Sequence, residues 1–201
     1  DLMSFQIISS FGASHVDKSK YDSSATSEAI FIPWVEQAND EDPWLGHLTK
    51  LDYDGDIKWM KQIGNADTIT SETDTVGNLY IAWSNSNQSF ISEINPASGE
   101  AKWSTELFSK HKIQDLKVVG SKLYAVGTFR GAKTPLLKAF EKTDGTILWE
   151  KETRTTLSSV YTDVQSEGTH LFVSSSSQLG ISGQVYTVSY THLTLPTNRE
   201  V

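Results

Sequence analysis

Apolar residues in this chain come in short continuous runs, each opened by a turn signal. Leu79-Tyr80-Ile81-Ala82 follows Gly77, Leu123-Tyr124-Ala125-Val126 follows Gly120, and Leu171-Phe172-Val173 follows Gly168, with Ala29-Ile30-Phe31-Ile32 as a fainter copy. Short apolar runs bounded by turns predict strands buried on both faces, and no segment sustains a helical period. After each of the first three runs along the chain comes an alternating strand, a tight turn and a second strand that carries a tryptophan. Trp59, Trp103 and Trp149 each stand four residues after a glycine (Gly55, Gly99, Gly145), at intervals of 44 and 46 residues. Asp54-Gly55, Ser98-Gly99 and Asp144-Gly145 suit the turn, because glycine takes positive φ freely and the short polar side chain bonds local backbone.

A strand-built repeat with a period in the forties predicts β-propeller blades of four strands each. The expected fold is all-β, with antiparallel four-stranded blades forming an incomplete ring of about 3.5–4 blades. The blades fall at residues 27–64, 65–110, 111–155 and 156–187, and segments 67–74, 114–119 and 161–165 supply the innermost strand of three of them. Residues 1–26 read as the end of a preceding blade and a loop, since Phe11-Gly12 echoes Ile63-Gly64. The chain opens and closes inside apparent blades, and rings close at about four to eight, so the sequence reads as an arc of a larger ring.

The last fourteen residues, 188–201, break the pattern. Val188 to Thr197 match one reading frame of a transposase-type sequencing adapter, and Thr187 satisfies the codon that must precede it. This segment is read as a translated adapter-derived tail and excluded from the fold, which leaves His192 and Pro196 without functional weight.

Net charge is −8, with no basic stripe, which argues against nucleic acid as a partner. No apolar run is long enough to span a membrane, and the absence of cysteine removes disulfide, thiolate and Cys-zinc chemistry from this segment. Asp52, Asp54 and Asp56 gather around Gly55 as calcium candidates, although their spacing is not that of an EF-hand and the bland alternative is a solvated turn. The acidic stretch from Asn39 to Trp44, with an exposed-looking indole, is a candidate binding loop on the face where propeller ligands dock. His15, His47, His111 and His170 show no metal-ligand spacing, and no nucleophile elbow or phosphate loop occurs. Asn87-Gln88-Ser89 is a glycosylation sequon on a predicted loop. The inner-strand segments offer the carboxylates Asp67, Asp74 and Asp163 but one cation, Lys117.

Asn95-Pro96-Ala97-Ser98-Gly99-Glu100-Ala101-Lys102-Trp103 and Lys142-Thr143-Asp144-Gly145-Thr146-Ile147-Leu148-Trp149 resemble the D-x-x-T-G-x-x-x-W docking motif of quinoprotein-like (PQQ-like) repeats, with Asn95 and Ser98 in place of the motif's Asp and Thr. The Gly77 strand, Val126-Gly127-Thr128 and the run from Trp59 to Gly64 resemble bacterial seven-bladed propeller (SBBP) repeats. The resemblance implies an antiparallel propeller in which Trp59, Trp103 and Trp149, with Gly55, Gly99 and Gly145, lock neighbouring blades. It implies less chemistry, because the axial cation, calcium ligands and vicinal cysteines of quinoprotein dehydrogenases find no match here. The expectation is a non-catalytic scaffold with no cofactor, binding a protein or small ligand on its loop face, in a secreted, periplasmic or surface protein. The alternative is part of a quinoprotein-type dehydrogenase that uses pyrroloquinoline quinone and calcium.

Overall fold

The computed structural model describes residues 15–17, 23–107, 111–129, 134–152, 159–168, 170–177 and 183–189. They form four antiparallel sheets in series. The first is built from β1 (His15–Asp17), β2 (Ser24–Ala25), β3 (Ile30–Gln37), β4 (Leu45–Leu51) and β5 (Ile57–Asn65). The second runs β6 (Thr68–Thr73), β7 (Leu79–Ser84), β8 (Ser89–Ile94), β9 (Ala101–Leu107), and the third β10 (His111–Val119), β11 (Lys122–Phe129), β12 (Thr134–Glu141), β13 (Ile147–Glu152). The last comprises β14 (Ser159–Glu167), β15 (His170–Ser177) and β16 (Gly183–Ser189). Every pairing joins sequence neighbours, apart from β1, which pairs with β3 beside β2. Among the described residues no helix is long and apolar enough to cross a membrane.

The expected strand order is therefore present in full in the second and third sheets and as three described strands in the fourth, with two differences at the edges of the series. β1 and β2 lie in the stretch assigned to a preceding blade, yet both hydrogen-bond to β3 and together form the first strand of the first sheet. The break between them hid that strand, because pieces of three and two residues leave too few positions to show an alternation. At the other end, β16 continues through Val188 and Ser189, opposite Leu171 and His170, so the first two residues of the assigned tail are paired backbone. The echo at residues 5–12 and the rest of the tail, 190–201, lie outside the described residues.

The both-faces burial anticipated for the apolar runs arises because odd and even positions serve different seams. Leu79 and Ile81 pack with Ala29, Phe31 and Leu48 of the first sheet, while Tyr80 and Ala82 pack with Leu123, Ala125 and Phe140 of the third. Tyr124 and Val126 then meet Val164, Leu171 and Val173 of the fourth. Each strand thus alternates sides without alternating polarity. In β3 only Phe31, Pro33 and Val35 are buried; Ile30, Ile32 and Trp34 face away from the second sheet and stay half-exposed. The first strands β6, β10 and β14 lie against one another along the inner edge of the series.

Candidate functional site

Each tryptophan of the repeat is held from its own blade by an aromatic on the apolar run. Phe31 meets Trp59, Tyr80 meets Trp103 and Tyr124 meets Trp149, with ring centroids 6.0, 6.3 and 6.0 Å apart. A register shift lies between the turn and the tryptophan in all three hairpins, at Lys50/Leu51, Glu93/Ile94 and Ala139/Phe140. The extra residue re-aims the strand. The indoles of Trp59 and Trp103 then reach across the seam to the glycine turn of the next blade. A Cβ added at Gly99 would sit 3.2 Å from Trp59 Cε3, and one at Gly145 would sit 2.5 Å from Trp103 Cζ3. Trp59 Nε1 donates to Pro96 O at 3.2 Å, on the turn it covers, whereas Trp103 Nε1 donates to Glu93 Oε2 of its own blade at 2.9 Å. Gly55 has the same positive φ, 89°, and nothing within 4 Å of its added Cβ.

The calcium candidates do not converge. Asp52 Oδ1 accepts the backbone N–H groups of Asp54 and Asp56 at 3.1 and 2.9 Å, and its Oδ2 lies 2.5 Å from Lys58 Nζ. The Lys58 ammonium and the Asp56 N–H hold this carboxyl below the usual carboxylate range. Asp56 is largely solvent-facing, so the cluster is a self-bonded turn with a lysine on it. Among the described residues no group of three or more His, Asp or Glu side chains could hold a metal ion.

The acidic loop between β3 and β4 is braced from within. Asn39 Nδ2 donates to Asp42 Oδ2 at 2.7 Å, and Gln37 Nε2 donates to the carbonyl of Asp42 at 2.7 Å. Trp44 is not the exposed indole the sequence suggested: it packs on Val35, Ala66 and Ile69 beside Ile63 and Trp83. Proximity to charged residues in sequence misled, because the chain turns back into β4 one residue later. Asn87 is exposed at the tip between β7 and β8, while Ser89 of the same sequon is buried and donates to the carbonyl of His111.

The inner-strand charges work across seams. Lys117 Nζ lies 2.9 Å from Glu72 Oε1 of the preceding blade, and Lys142 Nζ lies 2.9 Å from Asp74 Oδ2. Burial opposes ionisation of Asp74, but hydrogen bonds from Asn78 and Lys142 outweigh it and its carboxyl titrates below the usual range. Asp163 takes a hydrogen bond from Gln165 Nε2 at 3.1 Å, and Asp67 is half-buried where β6 begins.

Three groups have contacts not anticipated from the sequence. His47 stacks on Trp34 at 4.3 Å, and its Nε2 lies 3.0 Å from Glu36 Oε1, on the half-exposed side of the first sheet. Burial lowers the pKa of His47, and Glu36 partly opposes that. Lys138, buried in the seam between second and third sheets, is neutralised by Glu150 on the adjoining strand. Asp115 follows the bulge in β10 and bonds the backbone of β14, as developed below. One sequence signal pointed to it: Asp115 and Asp163 each stand five residues before a turn glycine, Gly120 and Gly168.

The order of these sheets and seams is matched in solved structures. The β-propeller domain of the trilobed protease from Pyrococcus furiosus, whose topology is described as an open velcro, superposes with a TM-score of 0.50 at 13% identity, over 88% of this chain and 57% of that one. This chain is an arc of β-propeller blades. A subtype N10 neuraminidase-like protein of A/little yellow-shouldered bat/Guatemala/060/2010 gives a TM-score of 0.52 at 10% identity over 87% of this chain and 61% of that one. The Dos1 propeller gives 0.52 at 13% identity over 79% and 41%. The arc spans about 41–61% of the length of these propellers. No protein-family model matches the sequence, and no curated protein matches it.

Proposed function

We propose that this chain is a non-catalytic propeller scaffold that presents its loop face to a protein or small ligand. What carries this reading is where the reactive-looking side chains go. Lys117, a cation of the inner strand β10, is engaged with Glu72, and Lys142 with Asp74, each across a seam. Asp52 is closed within its own turn. Quinone chemistry needs a cation clamp and a carboxylate base converging on one axial pocket, and these pairings draw the charges into the sheet contacts instead. The loop face, in contrast, carries exposed acidic side chains at Asp40, Glu41 and Asp42 on a loop braced by Asn39 and Gln37. A braced loop loses less freedom on binding than a loose one, which favours recognition. Its charge suits a cationic partner surface.

The decisive experiment titrates the native protein with pyrroloquinoline quinone and calcium while following quinone absorbance and dye reduction. The scaffold reading expects neither a stoichiometric shift nor turnover. Tight binding with turnover that disappears in Asp67→Asn, Asp74→Asn or Asp163→Asn would overturn it in favour of an oxidoreductase.

A further inference from the structure

The seam between the third and fourth sheets holds a buried carboxyl as well as the Trp149 indole. Asp115 is buried, and its two oxygens accept two backbone N–H groups: Oδ1 from Leu116 at 2.8 Å on its own strand, and Oδ2 from Val164 at 2.8 Å on β14 of the next blade. Asp163, the residue before Val164, brings a second carboxyl into hydrogen-bonding contact with the first. Both residues follow a bulge at the same register of their strands: Asp115 pairs with Val126, and Asp163 with Ser174. Asp115 is out of water while Asp163 is half-exposed, and a carboxyl buried against a second one cannot ionise cheaply, so the proton is retained on the Asp115 side of the pair.

We infer that the Asp115–Asp163 pair is a proton-dependent latch that fastens the fourth sheet to the third and loosens when its shared proton leaves. The surroundings support a switch confined to this pair. Lys117 on the same strand is matched by Glu72 of β6, and Lys138 of β12 by Glu150 of β13. The other buried titratable groups on β10 and the strands packed against it are His111 on β10 itself, Glu93 on β8, Tyr80 on β7, Tyr124 on β11 and Tyr161 on β14. Glu93 is paired with Lys102, and burial lowers the pKa of His111, so its contribution to stability runs with pH in the opposite sense to that of the latch. Among the charges of the described residues, that of Asp163 is the one that acts on Asp115. Burial is the main cause of a rise in the Asp115 pKa to about 7, the two backbone N–H groups oppose it, and Asp163 adds to it.

The sign follows from that direction. A carboxyl whose folded pKa lies above its unfolded value of 3.8 favours the closed seam while protonated, and this contribution drains away as pH rises from 3.8 through about 7. Opening of β14 should therefore become easier by close to tenfold per pH unit across that window.

The test is amide hydrogen exchange at Val164, corrected for its intrinsic pH dependence, on the native protein between pH 4 and 8. Protection is expected to fall with rising pH in the wild type and to become flat in Asp115→Asn, whose amide oxygen still accepts an N–H and whose NH₂ can donate to Asp163. A flat wild-type profile, or an unchanged slope in Asp115→Asn, would overturn the latch. If that variant does not fold, the infrared carbonyl band of protonated carboxyl in the wild type decides the matter: a band titrating near 7 upholds the proposal, and loss of every such band below about pH 5 refutes it.

Discussion

At the scale of single residues, the repeated glycine does two things that its sequence position alone does not separate. It supplies positive φ at the turn, 75° at Gly99 and 73° at Gly145, and it leaves room for the neighbouring blade's indole. Gly55 makes the separation measurable, since it needs the same φ yet has open space around its added Cβ. Alanine at Gly55 should therefore cost only the backbone strain, about 1 kcal/mol. At Gly99 the nearest obstruction is Lys61 Cγ at 2.8 Å, on a side chain that can swing aside, so the cost should be slightly larger. At Gly145 the added Cβ meets Thr105 Oγ1 and Trp103 Cζ3, both at 2.5 Å, and the cost should rise by a further ~1–3 kcal/mol. Chemical denaturation of the three variants checks the order. A Trp103→Ala background should shrink the Gly145→Ala penalty toward the Gly55 value; strict additivity would mean that the indole is not what the glycine accommodates.

At the scale of elements, the strands and hairpins were legible because the signals that set them are local: an apolar run, a turn glycine, a tryptophan at fixed offset. The first strand of the first sheet was missed because β1 and β2 are too short to carry a period. Trp44 was misread because its burial depends on Val35 across its own hairpin and on Ile69, which reaches it only after the blades stack. The bond from Asp115 to Val164 was hard to read for the same reason: which strand faces which is a property of the stacking, and the equal spacing of Asp115 and Asp163 from their turn glycines was its one sequence signal. Gly127 illustrates the point. It faces the bulge of β10, and an added Cβ would come within 2.0 Å of the Lys112 carbonyl oxygen. A backbone carbonyl inside a paired strand cannot swing away as a lysine stem can. Gly127→Ala should therefore destabilise more than Gly145→Ala, by upwards of about 3 kcal/mol, with hydrogen exchange accelerated first along β10. Exchange that rises evenly over all sheets would contradict this account.

At the scale of the whole molecule, buried histidines and the buried aspartate pull the pH profile in opposite directions. Burial lowers His47 and His111, and the charge of Lys138 lowers His111 further. A base whose folded pKa is depressed contributes stability above its unfolded value of 6.5, and loses it as pH falls through the folded pKa. His111→Gln should thus lessen acid destabilisation in thermal melts between pH 4 and 6.5; an unchanged acid limb would place His111 outside the cause. The seams have one more consequence. In shape the blades are near copies, but their polar links differ: Lys50 and Trp59 on the Pro96 carbonyl with Lys61 on Glu100, then Lys117 on Glu72 with Lys142 on Asp74, then Asp115 on Val164. Repeats that resemble one another invite out-of-order assembly and exchange between molecules. Here a blade placed at the wrong seam would leave a lysine without its carboxylate, or a buried carboxyl without its amide, and mismatches of that kind discriminate by penalty. The polar residues at the seams thus number the blades, and the chain carries its own assembly order.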